Sequence, residues 1–461
     1  MPRRIHRRRF LESTGAVMAS VYVAGRPSIS LGASANDRIN IACVGVGGKG
    51  RSDSTQAGEY GNVVAICDID DEHLNAKAAE FPKAVKFNDY RKLLDKLHSQ
   101  IDAVVVSTAD HAHAAVSVAA MQLGKHVYCQ KPLTHSVSEA RLMRDVAREQ
   151  NVITQMGNQG TAADGFRAGV EIIQSGAIGD VNEVHVWTNR PFRDWEQGIM
   201  YWQQAPDLTA RPTETPSVPD HVHWDLFIGP APERPYHPVY HPHDWRGWRD
   251  FGTGALGDMA CHTANLPFKA LKLGLPTRVS AVSSPVNSET YQAWATITYE
   301  FPARGDLPPV KLVWYEGSEN GIRNLPEKEL LQGQRASQSG AILIGSKGTL
   351  FTPSDYGMEH TLLPANDFSD YRPPTPWLRR LGPNSDRDTN QKREWVEAIV
   401  HGGKTESDFE YASRLTEAML LGNVAVQVGQ PIEYDAENTR VTNCPAAAPL
   451  VRRDYRPGWN L

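Results

Sequence analysis

Asp258 and His262 stand four residues apart, so a helix through them sets both side chains on one face. Just upstream, Gly252-Thr-Gly-Ala-Leu-Gly257 supplies backbone that a ligand can approach closely. An imidazole whose ordinary pKa lies near neutrality suits proton removal, and a carboxylate beside it can orient a hydroxyl. Lys131, far earlier in the chain, can hydrogen-bond a reacting oxygen and stabilise its developing negative charge. Such a set fits the oxidation of an alcohol. A carbon must sit at near-attack distance from a hydride acceptor while its hydroxyl loses a proton.

The acceptor is announced by residues 39–50. An apolar run ends at Val44, and Gly45, Gly47 and Gly50 follow at the G-x-G-x-x-G spacing. The first glycine permits a tight turn, the second lets backbone approach a pyrophosphate, and the third lets the next helix pack on the strand. Gly45, Val46, Gly47, Gly48, Lys49 and Gly50 are therefore expected to face the cofactor phosphates, at a helix N-terminus that favours anions. A second apolar run, 62–67, ends in Asp68, where a carboxylate would bind the ribose 2′-hydroxyl and repel a 2′-phosphate. The expected cofactor is NAD rather than NADP.

Positioning these groups requires an α/β fold. Strand and helix signals alternate from residue 38 to about 156, as in a doubly wound Rossmann sheet of parallel strands. Ligands on such sheets bind at the carboxyl ends of strands. That makes suspects of the loops 45–50, 107–113 and 129–134, and so of Ser107, Thr108, His111, His113, Gln130 and Lys131 as cofactor contacts. Asn158 and Gln159 follow the last strand of the series and can reach nicotinamide or substrate. Later alternating segments, 292–299 and 310–314, and a hairpin-like stretch at 341–350, read as strands with one exposed face. Arg190, Trp195, Trp245 and Arg246 offer flat faces and forked donors of the kind that sugar sites use. The histidines His221, His223, His237, His241 and His243 lie among prolines and aromatics without recurrent helical spacing, and no metal is expected there.

The 461-residue chain carries a net charge of −5. Its first 35 residues are strongly basic, so the remainder is more acidic still, which argues against nucleic acid as a partner. Arg7-Arg8-Arg9-Phe10-Leu11, a modest apolar segment at 15–24 and Ala33-Ser34-Ala35 have the layout of a twin-arginine export signal cleaved after Ala35. Export of a folded protein with its cofactor inside suits a periplasmic enzyme. No stretch is long enough to span a membrane, and none of the five cysteines has C-x-x-C spacing. The expected organisation is a signal at 1–35, a nucleotide domain at 36–157 and a substrate domain at 158–461.

Taken together, Gly45-Val-Gly-Gly-Lys-Gly50, Ser107-Thr-Ala-Asp-His111, Gln130-Lys-Pro132 and Asp258-Met-Ala-Cys-His262 resemble Gfo/Idh/MocA oxidoreductases in order and spacing. The resemblance implies that Lys131, Asp258 and His262 are the catalytic residues, with Asp258 and His262 also touching substrate. It implies a C-terminal α+β domain with a large, mostly antiparallel sheet, a sugar, cyclitol or glycoside as substrate, and a dimer or tetramer. The family usually has Glu where this chain has Gln130, which removes a carboxylate beside Lys131. Glycoside hydrolase family 109 resembles these proteins too and uses NAD transiently, making hydrolysis through an oxidised sugar a second expectation. A sugar- and nucleotide-binding protein without turnover is a third.

Overall fold

In the computed structural model, which describes residues 38–191 and 210–461, the apolar runs of the first third form six parallel strands. These are β1 (Asn40–Val44), β2 (Asn62–Cys67), β3 (Val85–Phe87), β4 (Ala103–Val106), β5 (His126–Cys129) and β6 (Thr154–Met156). Their spatial order is β3-β2-β1-β4-β5-β6, so the direction of winding reverses between β1 and β4. Val44 and Val106 end these two strands side by side, and a crevice opens beyond them. Every side chain of β4 is buried, the reason it reads as an unbroken apolar run.

Helices α1 (Gly48–Tyr60), α2 (Asp71–Glu80), α3 (Tyr90–Leu97), α4 (His113–Gln122) and α5 (Val137–Glu149) connect the strands. Asp70 and Asp89 cap α2 and α3 by accepting from the backbone N–H of Glu72 and Arg91, each at 2.9 Å. Glu139 reaches back to the Ser136 N–H at 2.8 Å to start α5. Helix α1 differs. Its cap is Gly47, no side chain caps it, and its first turn holds no acid, so its leading N–H groups stay available to an anion.

The rest of the chain adds α6 (Asp164–Gln174), β7 (Val181–Trp187), α7 (Trp224–Ile228), α8 (Gly254–Thr263) and α9 (Asn265–Ala270). Strands β8 (Arg278–Ser283), β9 (Trp294–Phe301), β10 (Val310–Glu319), β11 (Ile322–Arg323), β12 (Gly340–Gly345), β13 (Gly348–Thr352) and β14 (Thr361–Leu363) follow. After α10 (Arg387–His401) and α11 (Phe409–Val428) come β15 (Ile432–Asp435) and β16 (Arg440–Val441). The second sheet has the order β14-β13-β12-β7-β10-β9-β8-β15-β16, with β11 beside β10, and only β7 and β10 run parallel. Alternation along β9 sends Ile297 and Tyr299 to the covered face, where the Tyr299 hydroxyl donates to Met419 O of α11 at 2.9 Å.

Helix α10 and the segment after it return to the first sheet. Thr405 Oγ1 donates to Thr154 O at 2.6 Å, and Gln391 Nε2 to Met156 O at 2.9 Å, both on β6. All five cysteines are buried and free. Among the described residues no helix is long and apolar enough to cross a membrane. The expected export signal at 1–35 and Trp195 lie outside the described residues.

Candidate active site

A cleft of about 580 Å³ runs along the carboxyl ends of β1, β2, β4 and β5, and its far wall is built by α8 and the segment 219–248. At the nucleotide end Gly45 and Gly50 are needed for space. Gly45 has φ +79°, and a Cβ there would lie 2.5 Å from Ser107 O. A Cβ on Gly50 would lie 1.9 Å from Gly45 O, so this glycine packs α1 under the turn rather than facing the cleft. Asp68 Oδ2 accepts from the Val46 and Gly47 N–H groups at 2.7 and 3.0 Å, and Oδ1 from Asp70 N at 3.0 Å. A carboxylate has about four lone-pair sites, so capacity remains for a ribose hydroxyl. Uncapped α1, glycines with no room for a Cβ and Asp68 at the end of β2 together fit NAD. The N–H groups of Gly48 and Lys49 at the start of α1 would hold its pyrophosphate and Asp68 its ribose, whereas the Val46 N–H is already on Asp68 and its side chain is buried in the core, away from the cleft.

The opposite end collects the expected catalytic residues. Lys131, at the end of β5, places Nζ 2.5 Å from Asp258 Oδ1 and 3.0 Å from Asp258 O. Burial alone would raise the Asp258 pKa, but Lys131 and then Arg246, whose Nε is 3.6 Å away, hold the carboxyl well below the usual range. His262 lies one turn further along α8, edge-on to the Tyr356 ring at 5.0 Å between centroids. Its buried Nδ1 has no hydrogen-bond partner among the described residues. Burial and then the nearby Lys131 charge push its pKa well below the ordinary value, so the ring is neutral. The sequence favoured His262 as base on its ordinary pKa. In the fold the ring is neutral at rest, the form in which it can orient a hydroxyl or take its proton. Arg190, Trp245 and Arg246 border the same end, with the Arg246 guanidinium 4.2 Å from the Trp245 ring centroid.

Gln130 has an explanation that only the fold reveals. Its Nε2 donates to Asp53 Oδ2 at 2.7 Å, and its Oε1 accepts from Lys131 N at 3.3 Å. Asp53 on α1 is fully buried, taking Lys392 Nζ at 2.5 Å and Lys49 Nζ at 2.9 Å on Oδ1, and the Ser107 hydroxyl at 2.9 Å on Oδ2. Burial would raise the Asp53 pKa, but Lys392 and Lys49 bring it down to about 2. An amide can donate to this carboxylate where an ionised glutamate cannot. Lys49, expected on the phosphates, is also paired with Asp388 at 2.7 Å.

Three other expected cofactor contacts hold loops in place, two of them behind the cleft. His113 has Nδ1 2.8 Å from Pro132 O and Nε2 3.1 Å from Thr108 O. Asn158 Nδ2 donates to Cys261 O at 3.3 Å. Neither lines the cleft. His111 borders it, yet its ring nitrogens lie 3.2 and 2.8 Å from Phe251 O and Phe227 O, and burial lowers its pKa to about 3. His111 and His113 tie the loops together through backbone carbonyls, and Asn158 does so through Nδ2 alone, its buried Oδ1 having no hydrogen-bond partner among the described residues. Ser107, Thr108, Gln130 and Gln159 do line the cleft. Asp110 and Tyr356 line it as well. Asp110 stood within a recognised motif without a role, and Tyr356 follows β13 at no spacing that could have linked it to the rest.

The scattered histidines also converge. His221 Nδ1 and His241 Nε2 each lie 3.1 Å from a different oxygen of Asp70, and His223 Nε2 is 3.3 Å from Asp71. Backbone N–H groups of Asp71 and His223 donate to His221 O and Ile69 O, each at 2.8 Å. This short bridge pins the segment 219–243 across the end of β2. Asp70, Glu72 and His221 also bring potential ligand atoms within 4.8 Å of one another. Since His221 and His241 already satisfy Asp70 and Glu72 is exposed, the cluster is explained as the fastening of that segment.

Residues 39–158 match the oxidoreductase family with an NAD-binding Rossmann fold, and residues 167–306 match that family's C-terminal alpha/beta domain. The inositol 2-dehydrogenase of Salmonella typhimurium is 33% identical over 127 residues, 27% of this chain and 37% of that protein. A glycosyl hydrolase family 109 protein of a Shewanella strain is 28% identical over 206 residues, 38% of this chain and 44% of that protein. The chain spans less than half the length of these curated relatives. An inositol dehydrogenase homolog of Azotobacter vinelandii, solved with NADH and myo-inositol, has the same fold, with a TM-score of 0.57 at 16% identity over 86% of this chain and 98% of that one. The parallel Rossmann sheet and the second sheet agree with the two family matches, and the chain belongs to the Gfo/Idh/MocA family of oxidoreductases.

Proposed function

We propose that the protein oxidises a secondary ring hydroxyl of a sugar, cyclitol or glycoside, with NAD as the hydride acceptor. One observation carries this reading. The Lys131–Asp258 ion pair and the neutral His262 sit together in the cleft whose other end is the dinucleotide cradle. NAD, when bound, supplies the acceptor for the hydride. The chain's own residues supply the rest. Asp258 holds the Lys131 ammonium in place, and Lys131 hydrogen-bonds the reacting oxygen and favours its negative charge as the C–H bond breaks. His262, uncharged, orients the hydroxyl, while the Trp245 and Arg246 faces can stack against a sugar ring and bond its hydroxyls.

The decisive test is absorbance near 340 nm of the purified protein with a panel of polyols and glycosides, with sugar products analysed in parallel. Lasting reduction with formation of a keto-sugar supports the dehydrogenase. Free sugar without net reduction would favour a cycle of oxidation, elimination, water addition and reduction, the reading to which the family 109 relative points. Bound nucleotide with neither change would leave a binding protein.

Arg7, Arg8 and Arg9 with the Ala33-Ser-Ala35 site support delivery to the periplasm. Replacing Arg7, Arg8 and Arg9 by lysines should retain the protein in the cytoplasm. We infer a homo-oligomer from the outward side of the second sheet, where Val282 and Ile322 are exposed, and light scattering measures it.

A further inference from the structure

We propose that Trp459 closes the adenine end of the nucleotide cleft, giving the base of NAD an aromatic wall from a segment far along the chain from the cradle it completes. The inference rests on the NAD site, with Asp68 as the ribose ligand, and not on the reaction run at the other end of the cleft.

Strand order fixes which end is which. β1 lies between β2 and β4, so Asp68, following β2, and Lys131, following β5, stand on opposite sides of the glycine turn. With the ribose on Asp68 and the pyrophosphate at the start of α1, the base lies beyond Asp68, away from Lys131. On that side the cleft is lined by Ile69, Asn88 and Tyr90 from beyond the ends of β2 and β3, by Ala109 and Val116 from the loop and helix after β4, and by Trp459. A slot with mostly apolar walls and a broad aromatic face suits a flat heterocycle.

Trp459 is held there from both sides. The Arg91 guanidinium lies 4.1 Å from the indole centroid, and Asp89 fixes that guanidinium through Nη2 at 2.8 Å and Nε at 3.0 Å. On the other side Arg456 ties the segment to α7. Its Nη1 donates to Asp225 Oδ1 at 2.6 Å, its Nε to Gly229 O at 3.0 Å and its backbone N–H to Pro230 O at 3.1 Å. The Trp459 N–H then donates to Arg456 O at 3.0 Å, which turns the indole toward the sheet. Trp459 is 7% exposed and borders two spaces, the cleft and a surface cavity of about 390 Å³ beside α3. Tyr90, whose ring centroid is 6.2 Å from that of Trp459, is the other residue shared by both, so these two rings are the partition between them. Without the indole the base would lose a stacking face and the cleft would open into that cavity.

The test is the Kd of NADH by fluorescence titration, with ADP-ribose and nicotinamide mononucleotide as competitors that carry one end of the cofactor each. Trp459→Ala should weaken NADH and ADP-ribose by the same factor, roughly 10-fold or more, and leave nicotinamide mononucleotide unchanged. Trp459→Phe keeps a flat face and should stay within about 3-fold of the wild type for all three. A tryptophan that serves only the fold would weaken the three ligands alike or not at all. Wild-type protein labelled with fluorotryptophan gives a readout that needs no alanine variant to fold. One fluorine resonance, assigned by its loss from Trp459→Phe, should shift with ADP-ribose and stay in place with nicotinamide mononucleotide. Unchanged ADP-ribose affinity in Trp459→Ala, equal losses for all three ligands, or a resonance that ADP-ribose does not move would overturn the assignment alone. No NADH binding by the wild type would overturn the nucleotide site, and this assignment with it.

Discussion

Restoring the acid usual in the family, by Gln130→Glu, should make the protein less stable in a way that depends on pH. The new carboxylate would replace an amide whose Nε2 lies 2.7 Å from Asp53 Oδ2. Both lysines that neutralise Asp53 are on Oδ1, so neither stands between the two acids. Asp53 is kept ionised, at a pKa of about 2, so the introduced glutamate must fold with its proton on. An ordinary glutamate pKa near 4.3 makes that protonation cost about 3.5 kcal/mol at pH 7. The sign follows from proton counting. The native state would hold a proton that the unfolded chain releases above about pH 4.3, so stability falls by about 1.4 kcal/mol per pH unit above that value. Urea unfolding of both proteins from about pH 5 to about pH 8 should show the gap widen from roughly 1 to roughly 5 kcal/mol. Gln130→Met is the control. It loses the hydrogen bond to Asp53, a cost of about 1–3 kcal/mol that does not vary with pH over this range. An equal penalty for Gln130→Glu at both ends of the range would refute the reasoning.

Further outcomes follow from the same geometry. Lys131→Met should lower hydride transfer by roughly 10²-fold or more while leaving nucleotide binding in place, checked by single-turnover absorbance and nucleotide titration. Gly50→Ala would set a methyl 1.9 Å from Gly45 O and should destabilise the protein by about 1–3 kcal/mol while weakening nucleotide binding; a nucleotide-induced shift in Tm equal to that of the wild type would refute this. Asp68→Ala removes the acceptor of the Val46 and Gly47 N–H groups along with the ribose contact. It should weaken NAD binding by about 10-fold or more and narrow the preference over NADP, both read by calorimetry.

The nucleotide half was legible because its signals are local. A strand, a glycine turn and a helix are contiguous in residues 39–60, and the steric need for glycine is met by backbone within the same turn or the neighbouring strand end. Asp68 could be placed because a parallel sheet puts the end of β2 beside the end of β1. The i,i+4 relation of Asp258 and His262 is likewise a property of one helix.

Residue order alone thus specified the kind of elements, their succession and the NAD-binding character of the first sheet. Folding in three dimensions set how the site is tuned. Gln130 faces a buried acid because Lys392 returns from α10 to α1, far away in the chain. His262 is neutral because folding buries it beside Lys131, and the Asp110 pKa rises to about 7 because folding takes it out of water. His221, His223 and His241 fasten a segment because Asp70 and Asp71 wait at the end of another strand. A pKa and a hydrogen-bond partner depend on which distant groups arrive and how much water leaves. Spacing along the chain records neither.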